Sequence, residues 1–238
     1  MSFLEHLEEL RWTIIWILVA VAIGSGLVWY FSDSFLEFFG KDLVSILERT
    51  LGPGNYDLHV FEVAEAFTTR LKVSLLLGLL VTLPFTIYKV WSFVWPGLLS
   101  EERRTLTPLV VLSTLLFYCG VAFAYFVMVK LTVAFLFRLK PPSVVATVRL
   151  GSYIAFVSKF CLTFGLVFQV PLVMAFLSKA GLVSLSTLRK GWRHAVVGIL
   201  VMAAVLTPPD VISQLLMAGP MIALYWLGYG LAAVFKKA

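Results

Sequence analysis

Charge is scarce in this chain, and so are the groups that do covalent chemistry. Of its 238 residues, 13% are charged and 61% hydrophobic, against about 25% and 45–50% in a soluble domain. Such a balance names lipid as the solvent. Cysteine occurs twice, at Cys119 and Cys161, both inside apolar stretches and without CxxC spacing, so the pair reads as packing residues rather than a disulfide or a metal site. His6, His59 and His194 are scattered and no HExxH occurs, which argues against an intramembrane metalloprotease. No GxxxxGK[ST] loop is present to cradle a nucleotide phosphate. No dense Lys/Arg run exists, so the net charge of +6 reads as membrane topology, not nucleic-acid binding. Internal repeats, GxxxG spacing and low-complexity segments are also missing. The chain opens with acids rather than Lys/Arg, which is not how a cleavable signal peptide begins.

What the chain does have is six long apolar stretches with charge confined to their ends. A spanning helix needs about 20 apolar residues to cross roughly 30 Å of hydrocarbon. The stretches are 12–31, 73–95 (with Lys89 near its end and Pro84 inside), 105–129, 150–178 (with Lys159, Gln169 and Pro171), 195–206 and 211–234. Thr207-Pro-Pro-Asp210 separates the last two, because a double proline cannot continue a helix. The spacing therefore predicts one all-α, six-span membrane domain over residues 1–238, with the fifth and sixth helices short. Pro84, Pro171 and Pro220 predict curved helices and an open, concave bundle.

Six spans put both termini on one side. Lys179, Arg189, Lys190, Arg193, Lys236 and Lys237 flank the late spans without an acid among them, which the positive-inside rule places in the cytoplasm. The longest outer loop, 32–66, carries a helical apolar stripe from Phe35 to Leu51, preceded by Ser34 and Glu37 at capping-box spacing and ended by Gly52. It predicts an amphipathic helix lying on the outer surface or capping the bundle. The second outer loop alternates over 144–148 and reads as extended.

Two acidic groups flank the spans on the inner side. Glu5, Glu8 and Glu9 precede the first, and Glu101 and Glu102 sit beside Arg103 and Arg104 after the second. Taken singly, each has a plain structural reading. The first is a solvated face of an interfacial helix, and the second is a pair of carboxylates favouring a helix N-terminus after Ser100. Together they place two carboxylate sites on one membrane face, suited to grip two guanidinium groups with charge-assisted bonds.

His6-Leu-Glu-Glu-Leu-Arg11, the Phe93…Pro96…Glu102-Arg-Arg104 loop, Phe117-Tyr118, Phe123-Ala-Tyr-Phe126 and Leu206-Thr-Pro-Pro-Asp-Val211 resemble the TatC family over essentially the whole chain. That family is the polytopic core of the twin-arginine protein translocase. The resemblance implies an inner-membrane receptor for Arg-Arg signal peptides. It would export folded proteins with TatA- and TatB-type single-span partners, using the proton-motive force, as part of a larger self-associated complex. It implies no enzyme activity and no cofactor. It places signal-peptide binding at Glu9 and Glu102, with Arg11, Phe93, Arg103 and Arg104 in the same inner-face site.

Deeper in the membrane, Lys159 either snorkels to headgroups or serves a function. Where this family commonly has a glutamate, the chain has Gln169. A glutamine there either packs within the bundle or hydrogen-bonds a partner helix, together with Thr207. The competing reading is a proton-coupled secondary transporter of a small solute, which binds at the midplane between broken helices.

Overall fold

The structure, a computed structural model, describes residues 3–52, 56–59, 63–94, 106–139, 141, 146–206 and 211–237. They are almost wholly helical, because a backbone group in lipid must find its hydrogen bond within its own segment. In chain order the elements are α1 (Phe3–Trp29), α2 (Ser32–Leu51), β1 (Tyr56–His59), α3 (Val63–Val94), α4 (Leu106–Phe123), a π-helical turn (Ala124–Val129), α5 (Lys130–Arg138), β2 (Ala146–Arg149), α6 (Leu150–Val167), α7 (Val170–Lys179), α8 (Leu185–Leu206) and α9 (Val211–Lys237). Among the described residues, five stretches are long and apolar enough to cross a membrane: Leu4–Trp29, Ala64–Phe93, Pro108–Arg138, Leu150–Lys179 and Val211–Val234.

Helices outrun the apolar stretches that announce them. α1 starts at Phe3, so the acidic run Glu5–Arg11 continues the span as one rod instead of forming a separate interfacial helix. α3 starts at Val63, ten residues before the apolar run, and carries Arg70 and Lys72 within it. The two final helices are longer than expected. α8 has 22 residues because Arg189, Lys190 and Arg193 extend it ahead of its apolar half, and α9 has 27. Hydropathy sees where lipid ends; hydrogen bonding continues past it.

The expected capping box is overturned. α2 begins at Ser32 with Phe31 as N-cap and no side-chain cap, so Ser34 lies inside the helix. The corner is held from α3 instead. Arg70 donates from Nε to Ser32 Oγ (2.6 Å) and from Nη2 to Asp33 Oδ2 (3.1 Å) and the Trp29 carbonyl (3.4 Å). Its guanidinium also stacks 4.9 Å from the Trp29 ring. Gly52 ends α2 at φ 83°, a conformation that favours glycine. Beyond it β1 pairs in parallel with β2, from Tyr56↔Ala146 to His59↔Arg149, so part of the segment before α6 is extended, as its alternation predicts.

The expected fourth span is broken. Phe168 and Gln169 form a turn between α6 and α7, and Pro171 sits in the first turn of α7, where its missing N–H is tolerated. Gln169 N–H donates to the Leu166 carbonyl, three residues back (3.0 Å).

Contacts divide the chain into two compact units, Met1–Leu115 with Lys140–Ser158, and Leu116–Leu139 with Lys159–Ala238. In the first, α2 buries Phe39, Leu43, Ile46 and Leu47, and α1 crosses α3 at backbone contact. A Cβ at Gly24 would meet Thr82 Cγ2 at 2.7 Å and the Gly78 carbonyl at 2.9 Å, and one at Gly78 would fall into Ser25. In the second, Phe123 packs on Phe164 and Phe168, and Gly228 of α9 lies against Pro171 and Met174 of α7. Across the α8–α9 pair, Gln214 Nε2 donates to the Leu200 carbonyl (3.0 Å) and Tyr225 to that of Leu188 (2.7 Å).

Candidate functional site

Because α1 and α3 are rods crossing at Gly24 and Gly78, the N-terminal end of α1 is brought to the C-terminal end of α3. His6 there stacks on Phe93, ring centroids 4.4 Å apart and planes within 12°. One turn along α1, the Glu9 carboxylate lies 3.8 Å from His6 Nδ1, with its side chain 33% exposed. Its Oε2 is buried and takes no hydrogen bond among the described residues. A carboxylate oxygen shielded from water without a donor is costly, so this position is poised to accept N–H groups from elsewhere.

The neighbouring charges are committed differently. Arg11 Nη2 donates to Glu8 Oε1 at 3.4 Å, both side chains about two-thirds exposed, and its guanidinium lies 5.7 Å from the Trp12 ring. Arg11 and Glu8 thus satisfy each other at the surface. On α3, Lys89 Nζ lies 5.9 Å from the Trp16 ring and 5.6 Å from Phe85, within cation–π range. Trp91 Nε1 donates to Ser113 Oγ (2.8 Å) in a buried contact that ties α3 to α4 just before Phe93.

Of the six residues expected at this site, Glu9 and Phe93 are brought together, and Arg11 lies half a turn further along α1. Glu102, Arg103 and Arg104 lie outside the described residues. His6, which the sequence reading set aside as scattered, is the side chain that joins Glu9 to Phe93. Its i, i+3 spacing to Glu9 was the available signal. Trp91 and Ser113 had none.

Elsewhere, Gln169 is the N-cap of α7, at the break in the fourth span, and is half-buried. Lys159 is exposed on α6, and Thr207 lies outside the described residues. Among the described residues no cluster of His, Cys, Asp or Glu has the make-up of a metal site.

Comparison with known proteins identifies the family. The family described as "Sec-independent protein translocase protein (TatC)" matches residues 5–220. The chain is 35% identical to the Sec-independent protein translocase protein TatC of Carboxydothermus hydrogenoformans, over 99% of this chain and 94% of the relative. It is 36% identical to that of Escherichia coli K12, over 94% and 85% respectively. The crystal structure of a twin-arginine translocase receptor, TatC, superposes with a TM-score of 0.85 at 32% identity, covering 97% of this chain and 99% of that one. With its five spanning-length apolar helices, the protein is a multi-pass inner-membrane component of a translocase. It belongs to the TatC family of Sec-independent protein translocase proteins.

Proposed function

We propose that this chain is the receptor and core subunit of a twin-arginine translocase, a binding protein and not an enzyme. Its whole length forms one six-span membrane domain with both termini in the cytoplasm. It takes an Arg-Arg signal peptide at the cytoplasmic ends of α1 and α3. Glu9 accepts one guanidinium, and Phe93 with its His6 partner supplies a flat face beside it. Glu102 accepts the second guanidinium, Arg103 and Arg104 hold that carboxylate in place, and Arg11 shapes the rim. Gln169 and Thr207 contact the single spans of TatA- and TatB-type partners, with Lys159 near the lipid. Export of folded cargo then draws on the proton-motive force and on those partners.

One observation carries this reading: a shielded carboxylate oxygen on Glu9 that accepts no hydrogen bond among the described residues, beside an aromatic stack. A planar guanidinium can hydrogen-bond a carboxylate with two parallel N–H groups and lie flat on a ring at once, whereas an ammonium, a point charge, lacks the planar fork that combines the two. The test is photocrosslinking from positions 9, 93 and 102 to signal peptides bearing Arg-Arg or Lys-Lys. Strong crosslinks to the first and weak ones to the second are expected. Equal crosslinks to both peptides would overturn the guanidinium-specific site. Small-solute transport draws no support from any group described here.

A further inference from the structure

The amphipathic helix α2 has a second face that the packing leaves open. One face is buried through Phe39, Leu43, Ile46 and Leu47. Leu36, Gly40 and Val44 form a separate stripe at four-residue spacing, and with Leu150, the first residue of α6, they line an open groove of about 500 Å³. The groove is open above Gly40, where a Cβ would meet nothing within 4 Å. The lining is almost wholly apolar, and the rim is not. Glu37 and Lys41 stand along it one helical turn apart, joined at 2.7 Å and both well exposed (67% and 75%).

The groove also sits at a definite depth. It is formed where a spanning segment begins, at Leu150, and by a helix that leaves α1 straight after Trp29. Next to it Tyr30, Phe31, Phe35 and Phe38 expose their rings, as aromatic side chains do at the boundary of headgroups and acyl chains. Water is therefore not the natural occupant of its apolar floor.

We propose that this groove binds one membrane phospholipid with an ethanolamine headgroup, its acyl chain laid along Leu36, Gly40, Val44 and Leu150. The headgroup carries an ammonium and a phosphate, and the rim offers their complements on adjacent turns, a carboxylate and an ammonium 2.7 Å apart. Glu37 accepts from the ammonium and Lys41 donates to the phosphate. Neither has to give up the other, because a carboxylate has about four acceptor sites and an ammonium three donors. Choline lacks N–H groups for Glu37, and glycerol lacks the positive charge. The inference needs no particular side of the membrane for α2 and does not depend on the receptor reading.

The test uses the full chain in mixed micelles with phosphatidylethanolamine, phosphatidylcholine and phosphatidylglycerol at equal concentration, with bound lipid counted by native mass spectrometry. The wild type should retain one phosphatidylethanolamine per chain, in about tenfold preference over the other two. Gly40→Leu, which fills the groove without touching the buried face, should remove that lipid. Glu37→Gln should erase the preference for ethanolamine over choline while leaving occupancy. Should Gly40→Leu fail to fold, Glu37→Gln decides alone, since its exposed side chain supports no packing. Retention of all three lipids alike by the wild type, or of phosphatidylethanolamine by Gly40→Leu, overturns the proposal.

Discussion

Alanine at Gly78 should destabilise the protein even though alanine is the better helix former. The Cβ it adds would fall into Ser25, against its backbone N and Cα as well as its Oγ. A backbone atom cannot rotate aside, so α1 and α3 must separate. Overpacking of this kind costs about 1–3 kcal/mol, and the gain from helix propensity returns up to about 1 kcal/mol. The net loss is up to about 2 kcal/mol, or up to roughly 8 °C in melting temperature for a chain of this length. Gly26, two residues from the crossing on α1, makes the control: a Cβ there meets nothing within 4 Å, so Gly26→Ala should melt at or slightly above the wild type. Circular dichroism of both variants in one detergent settles the matter. If Gly78→Ala melts as high as Gly26→Ala, the close crossing is not what joins these helices. The consequence reaches further than stability. Glu9 and Phe93 each lie 15 residues from the crossing, about 22 Å along their helices, so a splayed crossing also parts His6 from Phe93.

Glu9→Gln should weaken binding of an Arg-Arg signal peptide by about 10–30-fold, the lower range for a charge-assisted hydrogen bond because the side chain is a third exposed. Glu8→Gln, already paired with Arg11, should change it less than about threefold; equal effects in a peptide-binding titration would refute the distinction. Arg70→Gln should lower stability by about 1–3 kcal/mol through loss of its bonds to Ser32 and Trp29, with the exposed Asp33 contributing least. Unchanged protease resistance of the α1–α2 corner would count against that. The hydrogen bond and charge of Lys41 hold the Glu37 carboxyl below its ordinary value. A lowered carboxyl contributes stability that is present above its unfolded value and lost as pH falls through the folded one. Amide protection in α2, taken relative to the intrinsic exchange rate at each pH, should therefore fall between about pH 5 and pH 2, and Lys41→Gln should flatten that response; parallel profiles would show the pair to be inert.

The spans were legible because lipid imposes one rule on every spanning segment, and the rule is written in hydropathy. Where another interaction decides, the sequence was silent. The break at Phe168 and Gln169 is displaced from Pro171, because the helix adjusts upstream of the missing N–H and not at the ring. Ser34 had the spacing of a cap, but Arg70, 38 residues from Ser32, took the corner. The pairing of β1 with β2 joins residues 90 positions apart, and nothing local encodes it. At the proposed site, the acidic run that holds Glu9 stood out by chemistry, and Phe93 only through the family resemblance. That His6 links them depends on where α1 crosses α3, which is set by two glycines far from the site.

The two ends of α1 handle charge in opposite ways. At the Trp29 end, the Arg70 guanidinium is matched by a hydroxyl, a carboxylate, a carbonyl and a ring. These contacts commit its Nε and Nη2 donors to the corner. At the Glu9 end, a carboxylate oxygen is shielded but unmatched among the described residues, and the nearby cation of Arg11 is spent on Glu8. Shielding a charge without pairing it costs stability. A protein able to satisfy one charge so fully has the means to satisfy the other. An incoming guanidinium would supply the missing donors, and the cost borne in the empty state would return as binding energy when the peptide arrives.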